Sequence, residues 1–205
     1  MRGRATFLAI VASGVSACLL LSACAHGVVA APDLASHVDV DTAALRAMKH
    51  RAGVAACPRP AGGGSDLPVL TLPCLGGGRS VRLSDVSGPA VISLWASWCV
   101  SCPHELPLYQ RLSEATAGKL SVLGVDYQDT QPGKALALLQ TTHAVFPQVA
   151  DPGGDLADHY RLSGLPGILL VDGDGKVTFL LRRLERYADL VTLVEQHTGV
   201  TVGAG

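Results

Sequence analysis

Hydrophobic positions divide this chain into stretches of different character. From Ala5 to Leu21 the residues are small, apolar and uncharged. Residues 25 to 56 are Ala-rich and lack a strong core pattern, although Asp41 to Arg51 predicts a short helix with Asp41 as N-cap. Pro58 to Ser65 (PRPAGGGS) is a Gly/Pro break. Beyond it, apolar runs alternate with helical ones. Pro68 to Leu72 and Ser80 to Leu83 predict short strands around Gly76-Gly77-Gly78. Ala90 to Trp95 is continuously apolar, as in a strand buried on both faces. A helix is expected from about Cys99 to Ala117, with a kink at Pro107. Strands follow at Leu120 to Asp126, Phe146 to Ala150, Gly167 to Val171 and Lys176 to Leu181, the last two joined by the turn Asp172-Gly173-Asp174-Gly175. Helices are expected at Gly133 to Thr142, Leu156 to Tyr160 and Tyr187 to His197. The order strand, helix, strand, helix, hairpin, helix predicts an α/β fold with a central mixed sheet flanked by helices and an N-terminal hairpin extension.

Composition adds a compartment. Charged residues are only 16% against 48% hydrophobic, which suits a packed core. A net charge of -1 leaves no basic excess for nucleic acid. Arg2 and Arg4 precede the first apolar run, and the whole reads as a secretory signal. An uncleaved anchor is the competing reading, although the run is short for a span of about 20 residues. Leu21-Ser22-Ala23-Cys24 resembles the lipobox of bacterial lipoproteins. That resemblance implies lipidation at Cys24, a signal over 1–23, an anchor and spacer over 24–56, and a folded domain over 57–205. The domain would face out from the membrane. Cys57, Cys74, Cys99 and Cys102 then remain in the exported part, an even number that suits disulfides.

The chemistry centres on Trp98-Cys99-Val100-Ser101-Cys102. Thiol–disulfide exchange needs an attacking thiolate and a second thiol that resolves the mixed disulfide. Two cysteines three apart at a strand-to-helix junction supply both. Cys99 is expected to be exposed at the helix N-terminus, where the dipole favours its thiolate, with Cys102 one turn deeper and Trp98 covering the pair. The alternatives are half of a zinc site, whose other half would need a spacing that Cys57 and Cys74 lack, and a structural disulfide. No cofactor is called for.

VISLWASWCVSCPHELP, Val91 to Pro107, resembles the active-site segment of the TlpA/ResA family of exported thiol–disulfide oxidoreductases, in the redoxin and AhpC/TSA superfamily. The resemblance runs from about Cys57 to His197 and implies a thioredoxin-like fold. It implies a cis-proline facing the dithiol, matched by Pro166 after Leu165, where many relatives have Thr. The acid often found beneath the dithiol is missing, since Ser93 stands there. The resemblance offers Asp129 and Glu105 as carboxylates near the site that would carry a proton for Cys102, against the plainer reading of both as surface charges. His104 follows Cys102 by two and reads either as a residue that tunes the pair or as an exposed helix histidine. Cys57 and Cys74 flank the Gly/Pro break at a spacing that suits a loop-closing disulfide worth about 3 kcal/mol, with a second redox relay as the alternative.

The expected activity is a membrane-tethered thiol–disulfide reductase, with Cys99 as nucleophile and Cys102 resolving. The family implies exported protein thiols or disulfides as substrates, apocytochrome c among them, and a membrane electron donor of the CcdA/DsbD type. The alternatives are a DsbE-like oxidase of exported thiols, a peroxiredoxin-type peroxidase and a non-catalytic scaffold. A peroxidatic cysteine would want Thr three residues earlier, and Ala96 is there instead. Asp172 and Asp174 resemble a calcium loop, but Arg183 holds the position of its closing Glu.

Overall fold

The computed structural model describes residues 38–59, 62, 64–116 and 118–203. The apolar run and Cys24 lie outside the described residues. The elements are α1 (Ala43–Ala52), β1 (Thr71–Leu72), β2 (Val81–Arg82), β3 (Ala90–Trp95), α2 (Cys102–Thr116), β4 (Ser121–Tyr127), α3 (Pro132–Thr142), β5 (Gln148–Asp151), β6 (Gly167–Val171), β7 (Val177–Leu180) and α4 (Tyr187–Thr198). Five strands form one sheet in the order β5-β4-β3-β6-β7, and β1 pairs with β2 separately. β3, β4 and β5 run parallel, which requires crossovers, and α2 and α3 provide them. β6 and β7 complete the sheet antiparallel, joined by the expected turn. Asp172 holds that turn by accepting the N–H groups of Asp174 and Lys176. The α/β expectation with a mixed sheet holds.

Two cores lie on opposite faces of the sheet, because neighbouring strand residues point in opposite directions. The first joins Val91, Trp95, Val122, Ala150, Ile168 and Leu170 to residues of all four helices, and it contains Cys99 and Cys102. The second joins Ile92, Leu94, Leu123, Val125 and Leu169 to the β1–β2 hairpin, and it contains Cys57 and Cys74. Each large side chain buried in either core stabilises the fold by about 1.5–3 kcal/mol. Among the described residues, no helix is long and apolar enough to cross a membrane.

Several boundaries differ from expectation, each for a local reason. α1 is capped by Thr42, whose Oγ1 accepts the Leu45 N–H at 3.2 Å, while Asp41 pairs with Arg46 instead. α1 packs on α3, and Leu45 and Ala52, with Val40 and Val54 beside the helix, join the first core. The stretch expected to be spacer therefore contributes to the domain before Cys57. β5 begins at Gln148 rather than Phe146, because Pro147 has no N–H to give a ladder. Residues 155 to 158 form a single 3₁₀ turn, in which the Asp151 carboxylate takes the N–H groups of Gly154, Asp155 and Leu156. α2 begins at Cys102, three residues later than expected, and runs through Pro107.

Candidate active site

β3 ends at Trp95, and the chain turns before α2 starts. Within that turn the Cys99 N–H donates to the Ala96 carbonyl at 3.2 Å. Cys99 and Cys102 are joined as a disulfide, with their Cα atoms 5.5 Å apart. Cys99 is not exposed as expected. It keeps 6% of its surface and Cys102 1%, because the bond to Cys102 turns Cys99 inward. What stands out around the pair is apolar: Val100 is 93% exposed and Trp98 50%. The Trp98 indole N–H donates to the Gln128 carbonyl at 3.0 Å. Gln128 sits in the left-handed region at φ 49°, which aims that carbonyl back at the tryptophan.

Three buried carboxyl groups lie on the elements that carry or adjoin the pair. Asp129 is a fixed part of the site: its carboxylate accepts the Ser97 N–H at 2.7 Å and the Gln131 N–H at 2.8 Å, so it ties the cysteine turn to the loop after β4. Glu105 lies three residues after Cys102 on α2 and is also buried. Its Oε1 accepts the Leu184 N–H at 2.9 Å, and its Oε2 has no partner among the described residues. Burial pushes its carboxyl up to about 7, against the pull of the Leu184 N–H and Arg183. The reading of these two acids as surface charges is therefore wrong.

The third acid, Asp126, escaped the sequence reading. It ends β4, pairs in register with Trp95, and shares the sheet face of Val122. It is 1% exposed, and its carboxyl has only the Asp129 carboxyl beside it to share a proton with among the described residues. Burial first, then the neighbouring Asp129, holds its carboxyl well above the usual range. A signal was available, since an acid inside a strand buried on both faces costs several kcal/mol when charged. Ser93 occupies the same face two residues before Trp95.

The remaining expected residues fall as follows. The Leu165–Pro166 peptide is cis, and Pro166 is buried. Leu94 pairs with Gly167, so Pro166 lies at the sheet end where β3 hands over to the cysteine turn. His104 is exposed. Cys57 and Cys74 form a second disulfide. Gln148 was not foreseen: its side chain accepts the Trp95 indole N–H at 2.9 Å and lies over Gly124, where a Cβ would come within 1.7 Å of it. A larger residue at 124 would displace the Gln148 amide from Trp95.

A thioredoxin-like fold with a disulfide-forming cysteine pair at this strand–helix junction defines a thiol–disulfide oxidoreductase. Residues 64–180 match the AhpC/TSA family, and the chain belongs to it. It is 28% identical over 116 residues to the thiol:disulfide interchange protein DsbE of Pseudomonas fluorescens, covering 56% of this chain and 63% of that protein, under two thirds of the relative's length. It is 27% identical over 123 residues to the thiol-disulfide oxidoreductase ResA of Bacillus thuringiensis, covering 56% of this chain and 70% of the relative. Among solved structures, it resembles the thioredoxin domain of a thiol-disulfide oxidoreductase from Bacteroides vulgatus, with a TM-score of 0.55 and 27% identity over 65% of this chain and 96% of that one. The dsbF structure of MTB shares the fold, with a TM-score of 0.57 at 24% identity over 63% of this chain and 96% of that one.

Proposed function

We propose that this enzyme is a lipid-tethered reductase of disulfides in exported proteins, with Cys99 as the attacking sulfur and Cys102 as the resolving one. The observation that carries this reading is the asymmetry of the pair. Cys99 lies in the turn between exposed Trp98 and Val100, whereas Cys102 is sealed beneath it beside Glu105. In the reduced enzyme, the Cys99 thiolate attacks a substrate disulfide and forms a mixed disulfide, releasing one substrate thiolate. Cys102 gives up its proton and attacks Cys99 Sγ, which frees the second substrate thiolate and leaves the Cys99–Cys102 disulfide. The positive end of the α2 dipole favours the Cys99 thiolate. Glu105 and Asp126 are the buried groups able to take the Cys102 proton, in place of the acid that Ser93 lacks. Trp98 and Val100 offer an apolar landing for an unfolded polypeptide, and Pro166 borders the same end of the sheet.

Arg2, Arg4, the apolar run and Cys24 support export and lipid attachment, with residues 1–23 as the signal. The resemblance of Val91 to Pro107 to the TlpA/ResA family supports exported thiol proteins as substrates, apocytochrome c among them. A membrane donor of the CcdA/DsbD type would return the electrons. The test is insulin-disulfide reduction together with redox titration of Cys99–Cys102. A potential near that of thioredoxin, about −270 mV, agrees with a reductase. A potential near that of DsbA, about −120 mV, would overturn the direction and favour the oxidase. If a Cys102→Ser variant traps no mixed disulfide on Cys99, the roles of the two sulfurs are wrong.

A further inference from the structure

The second disulfide has surroundings that a purely structural cross-link does not need. Lys49, the one buried cation of α1, points its Nζ at Cys74 Sγ, 2.9 Å away, and donates to the Gly77 carbonyl at the same distance. Its burial is nearly complete at 8% exposure. The glycine turn is shaped around it: at Gly76, with φ 71°, a Cβ would lie 2.8 Å from Lys49 Cβ. On the other side of the bond, Cys57 Sγ lies 3.1 Å from the Gln148 carbonyl oxygen. One sulfur thus faces a positive charge and the other a hydrogen-bond acceptor. A cleft of about 370 Å³ is lined by Cys57 but not Cys74; it also touches Lys49 and Gly77, with the exposed Arg59 and Arg79 at its rim.

We propose that Cys57–Cys74 is a second redox site, a disulfide polarised so that an incoming thiol attacks Cys57 and Cys74 leaves as a thiolate held by Lys49. The reductant is a dithiol. One of its thiolates attacks Cys57 Sγ from the cleft, the Cys57–Cys74 bond breaks, and its electron pair goes to Cys74. The second thiol of the reductant then attacks the mixed disulfide and closes its own S–S bond. Cys57 is released and takes up a proton, which it donates to the Gln148 carbonyl as a hydrogen bond. The balance is one dithiol and one protein disulfide giving one small disulfide, one Cys57 thiol, one Cys74 thiolate and one proton to solvent. A better leaving thiolate reacts faster and makes the reduced form more stable. Desolvation already holds the Lys49 ammonium below its ordinary range, so a thiolate partner would relieve it. The other charges facing this site are Asp41, which acts on Lys49 and is itself paired with Arg46, and the exposed Arg59 and Arg79 of the cleft.

The test uses the full chain carrying Cys99→Ser and Cys102→Ser, with Cys18 and Cys24 also changed to Ser, so that Cys57–Cys74 alone titrates and the outcome is separate from the active-site reading. The protein is equilibrated at fixed ratios of reduced to oxidised dithiothreitol, quenched and alkylated, and the reduced fraction is read by mass. Adding Lys49→Met should shift the equilibrium toward the disulfide by about tenfold, or about 30 mV, and Lys49→Arg should restore part of it. Equal equilibria with and without the Lys49→Met change, in proteins of matched circular dichroism, would overturn the proposal. A measurement that needs no change at Lys49 is the pH dependence. With a stabilised Cys74 thiolate, the reduced fraction at a fixed dithiothreitol ratio begins to rise below pH 7. A rise that begins only near the ordinary thiol value of about 8.5 would also overturn it.

Discussion

The two disulfides of this chain lie in cores on opposite faces of one sheet, and their neighbours are of opposite charge type. Cys99–Cys102 closes a short turn at a helix start, with buried carboxyl groups on the neighbouring elements and the exposed apolar side chains of Trp98 and Val100 in the turn itself. Cys57–Cys74 spans 17 residues, ties the chain after α1 to the β1–β2 hairpin, and has a buried lysine against one sulfur. Buried acids that hold protons suit a pair that must repeatedly gain and lose them. A buried cation instead favours one fixed distribution of charge in the reduced form. Gln148 stands between the two, its side chain on Trp95 and its carbonyl against Cys57.

The largest effect that would sharpen this contrast is loss of the active pair. Cys99→Ser should abolish insulin reduction, while Cys57→Ala with Cys74→Ala should leave it measurable; equal losses would break the division of labour. Next comes Asp126→Asn, expected to slow exchange by up to about a hundredfold near neutral pH without altering the attachment of Ser97 to Asp129. An unchanged rate across pH 5 to 9 would remove Asp126 from the proton route. Removing the long disulfide should lower stability by about 3 kcal/mol in denaturant titrations, which a merely ornamental bond would not do.

Glu105 gives a smaller, pH-dependent effect. Its folded carboxyl titrates at about 7, above the unfolded value of 4.5. The stability due to its proton is therefore fully present below pH 4.5 and is lost as pH rises through 7, up to about 3 kcal/mol. The melting temperature of Glu105→Gln should fall less between pH 5 and 8 than that of the unaltered protein; parallel curves would contradict the buried acid. Smallest is Trp98→Ala, expected to raise KM for an unfolded-protein disulfide about fivefold, roughly 1 kcal/mol, with little change in kcat. A change in kcat alone would mean that Trp98 shapes the turn rather than receiving substrate.

Much of this was legible along the chain. The strand Ala90 to Trp95, the β6–β7 hairpin and the Cys-x-x-Cys junction are local patterns, in which periodicity, turn residues and spacing carry the information. The helix at Ala43 to Ala52 was placed almost correctly, yet its membership of the domain was not, because its inward face offers few apolar groups, Leu45, Ala52 and a partly buried Met48, beside the charged Lys49. Lys49 in particular reads as solvated charge until the glycine turn closes over it. Asp129 and Glu105 could be nominated from the sequence, but their burial depends on the Ser97 and Leu184 N–H groups reaching them across 32 and 79 residues.

The sequence by itself determined the class of chemistry and the order of elements, since both rest on neighbours a few residues apart. The tertiary structure alone decided which acids are buried, which face of the sheet each disulfide occupies, and that Lys49 meets Cys74. Those are contacts between segments far apart in the chain, and a charge changes its meaning only when packing takes away its water.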